Sequence, residues 1–156
     1  MNIFILDKNQ EECAKLYCNV HTYKMLLEHS QMICTVAKEY DIEVPYKPTH
    51  PHHPCTKWLR SSKSNMIWLL KMQDCLNKEY RHRYNKKINH KSYDALKEID
   101  LDKLLELMPD IGLTEFAQAM PDQYRNIDVV KAYRDYYKYD KQHLLKYTNR
   151  DKPEWL

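Results

Sequence analysis

The sequence VHTYKMLLEHSQMICTVAKEY, residues 20–40, is the stretch that decides the fold class. Apolar side chains recur in it at intervals of three or four residues, which is the spacing of one buried face of an α-helix. The positions on this face are Tyr23, Leu26, Leu27, Ile33, Cys34 and Ala37. Since the stretch is long enough for about six helical turns, it predicts one long helix that buries this face.

Further helices are predicted on both sides of this stretch. The predicted ranges are 8–17 before it and 62–85, 91–108, 114–119 and 127–147 after it. Residues 41–54 are predicted as a loop, because prolines at positions 45, 48, 51 and 54 exclude a helix or a central strand there. Residues 2–6 form a short apolar segment that is either extended or a strand. The sequence therefore predicts an all-α, compact single-domain helical bundle over residues 1–156, with at most one short strand at the N-terminus.

Glycine is so scarce that several functional classes are excluded. Gly112 is the single glycine in 156 residues, whereas a Walker phosphate loop, a dinucleotide fingerprint and a helix-hairpin-helix motif each need several. No run approaches the ~18 apolar residues of a membrane helix, and the first residues lack the pattern of a signal peptide. Five cysteines without CxxC spacing then predict reduced thiols in a cytoplasmic protein with no membrane partner.

Positive charge is concentrated in one block of the sequence. Residues 60–91 contain 9 basic and 2 acidic residues, whereas residues 92–130 contain 3 basic and 9 acidic residues. A nucleic acid partner would explain the basic block, because each neutralised phosphate releases a counterion. The alternative is an ordinary solvated helix end. The candidate phosphate contacts in the block are Arg60, Lys63, Arg81, Arg83, Lys86 and Lys87.

The long helix also carries a polar stripe. Its members, three or four residues apart, are His21, Lys24, Glu28, Gln31 and Thr35. A carboxylate flanked by donors can shuttle a proton or stabilise a cationic transition state, such as that of N-glycosidic bond cleavage. The alternative is a surface pair of Lys24 with Glu28, worth roughly 0.2–0.5 kcal/mol.

The proline-rich loop contains three imidazoles and one thiol, in His50, His52, His53 and Cys55. Such a set can bind zinc, but prolines 51 and 54 oppose a closed tetrahedral wrap, so no metal is predicted. We favour a loop that offers His52 and His53 to phosphate or to a base. A purely structural loop is the alternative.

A tyrosine-rich run near the C-terminus interleaves aromatic and basic side chains. It contains Tyr133, Arg134, Tyr136, Tyr137 and Tyr139. Tyrosine rings of this kind stack on unpaired bases in nucleic-acid-binding proteins. They are also common as half-buried packing residues, which is the alternative here.

Taken in order, these segments resemble the pyrimidine-dimer DNA glycosylase family. His21 followed seven residues later by Glu28 is similar to the His and the catalytic Glu on that family's long helix. Residues 46–54 are similar to the family's Tyr-x-Asn-His-Pro stretch. The helix over 65–84, with its aromatic and basic end, and the tyrosine-rich segment 134–139 are similar to later elements of the family.

The resemblance implies an endonuclease V-like fold and a DNA-repair activity without a cofactor. Members of the family bind duplex DNA, flip a base out of the stack and use an N-terminal α-amine to attack the sugar of a damaged or modified pyrimidine. The resulting imine permits strand cleavage by β-elimination, which is an abasic-site lyase activity. The implied catalytic residues are Met1, Asn2, His21, Lys24 and Glu28. The implied nucleic-acid-binding residues are His52, His53, Arg60, Lys63, Arg81, Arg83, Lys86, Lys87 and Arg134.

Two positions depart from the family pattern. Asn2 is larger than the residues that permit removal of the initiator methionine, so the expected nucleophile is the amine of Met1. Leu27 stands where the family has an Arg before its catalytic Glu, and Lys24 supplies a positive charge one turn earlier without the fork geometry of Arg. The expected setting is the cytoplasm of a bacterium or a phage-infected cell. The alternatives are a non-catalytic nucleic-acid-binding protein on the same fold and a small phage-encoded inhibitor of a host protein.

Overall fold

The long helix predicted at residues 20–40 is α2 (Asn19–Glu39). The computed structural model describes residues 1–156, and the other helices are α1 (Gln10–Leu16), α3 (Pro54–Arg60), α4 (Lys63–Arg83), α5 (Lys91–Ala95), α6 (Leu101–Leu107) and α7 (Val129–Asp140). Short 3-10 turns lie at Leu96–Glu98, Asp122–Tyr124 and Gln142–Leu144. α2 packs against α3, α4 and α5 around one continuous core, so the chain is all-α and has no β-strand. None of the helices combines the length and apolar character needed to span a lipid bilayer.

Local capping explains where several helices begin. The side chain of Asn9 accepts hydrogen bonds from two backbone N–H groups of α1, and Asp128 does the same for α7. Ser62 caps α4. His53 caps α3 through its ring, and Pro54 occupies the first helical position, where a missing N–H costs nothing. Helix α3 was not predicted, because the proline-rich composition up to residue 54 concealed a helix start.

Two predicted helices differ from the observed ones for identifiable reasons. The helix predicted over 91–108 is divided into α5, a 3-10 turn and α6, because Asp100 caps a new helix by accepting a hydrogen bond from the N–H of Lys103 at 3.0 Å. The helix predicted over 127–147 ends at Asp140. The first boundary is set by the cap at Asp100, and at the second the chain passes into the 3-10 turn Gln142–Leu144.

The helix predicted over 114–119 is absent, and this prediction was wrong. Tertiary hydrogen bonds replace helical ones there: the side-chain oxygen of Asn65 accepts from the N–H of Thr114 at 3.0 Å. The ring of Phe116 packs against Trp58 and Trp68, with centroids 5.2 and 4.9 Å away. The segment is therefore held extended across α3 and α4 by contacts distant in sequence.

Residues 3–6 are buried and belong to no helix or strand. The hydroxyl of Tyr17 takes the place of a neighbouring strand, because it accepts from the N–H of Phe4 at 3.0 Å and lies 2.9 Å from the carbonyl of Phe4. The Phe4 ring stacks on His21 at 4.5 Å and meets the edge of Tyr137 at 5.1 Å. This segment therefore runs through the core and packs beside α2.

A buried ion pair joins the start of the chain to α4 and to the C-terminal tail. Arg83 donates to Glu79 and to the carbonyls of Lys15 and Tyr17, and its side chain is 0% exposed. Arg150 in the tail forms the second ion pair of Glu79, at 3.0 Å. All of the charge and most of the hydrogen-bonding capacity of Arg83 is used inside the protein.

Candidate active site at the amino terminus

The N-terminal segment places the amino nitrogen of Met1 against a carboxylate of α2. The distance from this nitrogen to Oε2 of Glu28 is 3.2 Å, and the side chains of the two residues are 5% and 13% exposed. Oε2 is buried and receives no aligned hydrogen bond, so its contact with the amine is mainly electrostatic.

Asn2 anchors the amine rather than facing solvent. Its side-chain N–H₂ donates to the carbonyl of Ala119 at 2.8 Å, and its Oδ1 accepts from the hydroxyl of Tyr133 at 3.0 Å. The side chain of Asn2 is therefore fully engaged in the core. Residue 2 was predicted to be catalytic, whereas its side chain is buried and holds the first residues of the chain in the core.

Lys24 lies on the other side of the carboxylate. Its Nζ is 3.9 Å from Oε1 of Glu28 and its side chain is largely exposed. Two positive groups thus flank one carboxylate, with Met1 on the protein side and Lys24 on the solvent side. Lys24 and Glu28 of the polar stripe predicted on α2 lie on one face of the helix, whereas His21 and Thr35 of the same stripe are buried.

His21 lies in the core beneath this group. Its Nδ1 is 2.5 Å from the hydroxyl of Tyr137, and its ring stacks on Phe4. Burial lowers the pKa of His21 to about 3, with nearby positive charges adding to the effect. The ring is therefore neutral at physiological pH and fixes the position of Phe4, three residues from the amine.

His29 was not predicted as part of the site. It follows Glu28 in α2, is fully buried, and neither ring nitrogen has an aligned hydrogen-bond partner. Burial lowers the pKa of His29 to about 4, opposed by the neighbouring Gln73 side chain and Asn2 backbone. Its ring lies against the backbone of Asn2. No sequence signal indicates this, because its partners come from the N-terminus and from α4.

The two buried imidazoles predict a loss of stability in acid. Because their pKa values in the folded protein lie below the ordinary value of about 6.5, the unfolded chain binds protons that the folded chain excludes. Stability is complete above about pH 6.5 and falls as the pH approaches 4. We expect each histidine to cost about 2 kcal/mol at pH 5 relative to pH 7.5, measured by urea unfolding.

A variant pair isolates this effect. His29→Gln should flatten the dependence of unfolding free energy on pH between 6.5 and 4, whatever its effect on stability at pH 7.5. His52→Gln removes an exposed imidazole and should leave that dependence unchanged. An identical pH dependence in His29→Gln and wild type would contradict the burial argument.

The proline-rich loop is tied to α2 beside the site. The hydroxyl of Thr35 accepts from the N–H of Thr49 at 3.0 Å, and Arg60 donates to the carbonyl of Pro51 at 2.7 Å. Burial lowers the pKa of His53, and the positive amino terminus adds to this while Glu28 opposes it. His53 is therefore within electrostatic range of the amine and the carboxylate. His52 is exposed.

The imidazoles and the thiol of this loop do not converge. Cys55 is buried with its Sγ 3.7 Å from Oδ1 of Asn2, and burial raises the pKa of the thiol to about 12. His50 contacts the hydroxyl of Thr49 at 2.7 Å, and His53 caps α3. No three His, Cys, Asp or Glu side chains in the protein come together as metal ligands do.

The structure divides the predicted phosphate contacts into exposed and engaged residues. Arg81, Lys86 and Lys87 are exposed, and the guanidinium of Arg81 donates to the carbonyl of Lys87 at 3.1 Å, which fastens the loop after α4. Arg83 is removed from the set, because its buried guanidinium has no access to a phosphate. The other members are held by the protein: Arg60 by Glu39, Lys63 by Asp110, and Arg134 by Asp7 and the carbonyl of Leu6.

The tyrosine-rich run is mainly a packing element. Tyr133 and Tyr137 are fully buried on α7, and Tyr136 is half-buried against Tyr124, with ring centroids 5.4 Å apart. Only Tyr139 is largely exposed. The run therefore offers little exposed aromatic surface on which a base could stack.

The exposed basic loop predicts a measurable electrostatic contribution to nucleic acid binding. Lys86→Ala/Lys87→Ala should weaken binding to all DNA sequences alike and reduce the slope of log K against log salt by roughly two units, about one for each lost phosphate contact. Lys97→Ala/Lys103→Ala removes the same charge from the acidic segment and should leave the slope unchanged. Equal slopes for both double variants would assign the loop to ordinary solvated surface.

A groove of about 670 Å³ lies elsewhere, lined by Lys8, Phe116, Ile127 and neighbouring residues, and it shares no residue with the group at Met1 and Glu28.

Comparisons with known protein families, with curated proteins and with solved structures find no match for this chain. The class of protein that the structure defines is thus an all-α domain with a buried amino terminus facing a carboxylate, and its function is argued from that site.

Proposed function

We propose that this protein is a DNA N-glycosylase with abasic-site lyase activity, acting on damaged or modified pyrimidines. The single observation that carries the proposal is the 3.2 Å distance between the amino nitrogen of Met1 and Oε2 of Glu28. An amine beside a carboxylate can carry out displacement at an anomeric carbon, because one group forms the new bond and the other stabilises the cationic sugar. The resemblance of the sequence to pyrimidine-dimer glycosylases supports the same chemistry.

The proposed reaction uses groups of this chain together with water. In its neutral form the amine of Met1 attacks C1′, and the base leaves with the electron pair of the N-glycosidic bond and takes up a proton from water. Glu28 stabilises the positive charge that develops at C1′ and accepts the proton lost by the amine. The sugar ring then opens as the C1′–O4′ bond breaks and Glu28 passes its proton to O4′, which leaves an imine between C1′ and the amine.

The lyase step follows from the imine. Loss of a proton from C2′ with departure of the 3′ phosphate cleaves the strand, and water then hydrolyses the imine and regenerates the amine. Lys24, on the solvent side of Glu28, is placed to contact the phosphate next to the target nucleotide. His53 is close enough to the amine and to Glu28 for both charges to act on its ring.

The test is reductive trapping of the imine. In the presence of borohydride the wild-type protein should form a covalent adduct with a duplex containing an abasic site, because hydride reduces the imine to a stable secondary amine. Intact mass establishes beforehand that Met1 is retained. Peptide mapping of the adduct should place the DNA on Met1, and a Lys24→Gln variant should still form it.

A variant with two residues added before Met1 is the matched control. It moves the amine several ångströms from Glu28 and should reduce trapping at least about tenfold, since covalent catalysis depends on the placement of the nucleophile. Undiminished trapping by this variant would contradict the assignment of the amine. The absence of any adduct with wild-type protein that binds DNA would instead support a non-catalytic nucleic-acid-binding protein.

A further inference from the structure

His53 lies at the start of α3, which packs against the first two residues of the chain. Sγ of Cys55 is 3.7 Å from Oδ1 of Asn2, and the hydroxyl of Thr56 is 3.9 Å from Sδ of Met1. The positive amine and the negative carboxylate of the candidate site are both close enough to act on the ring of His53. The imidazole therefore belongs to the surroundings of the amine, on the α3 side.

The cap of α3 decides which ring nitrogen of His53 carries the proton. Nδ1 accepts a hydrogen bond from the N–H of Cys55 at 3.1 Å, so Nδ1 is unprotonated. Burial lowers the pKa of His53 and the positive amine adds to this, so the ring is neutral at physiological pH. Its one proton is therefore on Nε2, and no group of the protein accepts a hydrogen bond from it. The ring is half-buried, so this donor is open to a ligand.

The backbone on both sides of His53 is held in place. The N–H of His53 donates to the carbonyl of His50 at 3.1 Å, which closes a turn. Arg60 donates to the carbonyl of Pro51 at 2.7 Å, and Pro54 occupies the first turn of α3. The Nε2–H donor is thus positioned before any ligand binds, and a preorganised donor stabilises developing charge without the cost of reorganisation.

Release of a pyrimidine base places negative charge next to the sugar. The electron pair of the N-glycosidic bond passes to N1 of the base and is delocalised onto O2, which is bonded to the ring carbon beside N1. O2 therefore stays close to C1′, the atom that the amine attacks in the proposed reaction. A donor near the amine that meets this growing charge binds the transition state more tightly than the ground state.

We infer that Nε2–H of His53 donates a hydrogen bond to O2 of the departing pyrimidine. The hydrogen bond strengthens as negative charge grows on O2, and the imidazole keeps its proton while the base takes one from water. A purine carries no oxygen on the carbons next to its glycosidic nitrogen, so this contact favours pyrimidines. The inference rests on the proposed function, because the contact matters only if the protein releases a base.

The experiment separates base release from imine formation. Three duplexes of one sequence contain a thymine dimer, 5-hydroxymethyluracil or 5-fluorouracil, and a fourth contains an abasic site. His53→Asn removes the Nε2–H but keeps the cap of α3, since asparagine accepts from backbone N–H groups at this position. At saturating protein it should slow single-turnover base release by a factor on the order of a hundred, the scale of one lost donor at a developing charge. Borohydride trapping on the abasic site should equal that of wild type, because no base leaves there.

His90→Asn is the matched control. The ring of His90 caps α5 through Nδ1, as the ring of His53 caps α3. Burial alone lowers the pKa of His90, so neither the amine nor the carboxylate of the site acts on its ring. This variant should leave both base release and trapping unchanged.

Base release at the wild-type rate in His53→Asn would overturn the inference. An equal slowing of base release and trapping would also overturn it, because that result indicates a structural defect. So would a wild-type protein that is trapped on the abasic site but releases none of the three bases. If wild-type protein is not trapped at all, the proposed function fails and the inference fails with it, which is distinguishable from the other outcomes.

Discussion

Glu28→Gln is expected to slow base release by a factor on the order of a hundred or more, while fold and DNA affinity stay close to wild type. Glutamine has nearly the shape of glutamate, so the packing around α2 is kept. The amide carries no negative charge to stabilise a cationic sugar, and the amine of Met1 loses the carboxylate that lies 3.2 Å away. The loss therefore falls on the chemical step.

The measurement is single-turnover base release on a substrate found by screening duplexes with defined damaged or modified pyrimidines. Thermal unfolding and DNA binding of the same variant establish that it is folded and competent. Glu43→Gln is the control, because Glu43 is a 93% exposed carboxylate away from the site, and its activity should equal that of wild type. Full activity in folded Glu28→Gln would remove the site assignment and most of the support for a glycosylase.

Arg83→Met is expected to destabilise the protein by about 3–5 kcal/mol, which is the cost of leaving one partner of a buried ion pair uncompensated. Methionine fills much of the volume of the arginine stem, so the loss is electrostatic and comes from hydrogen bonding. Glu79 would stay buried with Arg150 alone, and the carbonyls of Lys15 and Tyr17 would lose their donor.

The midpoint of thermal unfolding should fall by about 10 °C for a chain of this length. The double variant Arg83→Met/Glu79→Gln should recover part of this, because it removes the stranded charge. Lys78→Met changes an exposed cation one turn earlier in α4 and should shift stability by no more than about 0.5 kcal/mol. An Arg83→Met protein as stable as wild type would show that the pair is not a structural link.

The local sequence pattern was sufficient to predict the long helices of this fold. The predictions of α2 and of α4 are confirmed, because each is a run of about six turns whose apolar spacing, scarcity of glycine and absence of proline all favour a helix. The all-α class follows from these elements. The shorter segments could not be predicted, since a single cap at Asp100 or a side chain such as Asn65 outweighs weak helical periodicity.

The sequence could not predict which of the polar residues are buried. Arg81 and Arg83 are two positions apart in one basic run and the sequence treats them alike, yet one is exposed and the other is fully buried. The difference comes from Glu79, the Lys15–Tyr17 segment and Arg150, which meet around one side of α4. Tyr23 and Leu27 show the converse, because their apolar spacing matches a core stripe, yet neighbouring elements cover that face of the helix only in part.

The sequence by itself determined an all-α domain, the polar stripe on α2 and the concentration of positive charge before residue 91. Only the tertiary structure decided that Met1 contacts Glu28. The conformation of the residues between Met1 and α2 depends on contacts with distant residues, which local sequence patterns do not predict. The first six residues have to keep this conformation, with Phe4 bonded to Tyr17 and Asn2 bonded to Tyr133 and Ala119, for the amine to reach the carboxylate. Each of these contacts joins residues that are distant in sequence, so it stabilises this segment only when the whole core is assembled.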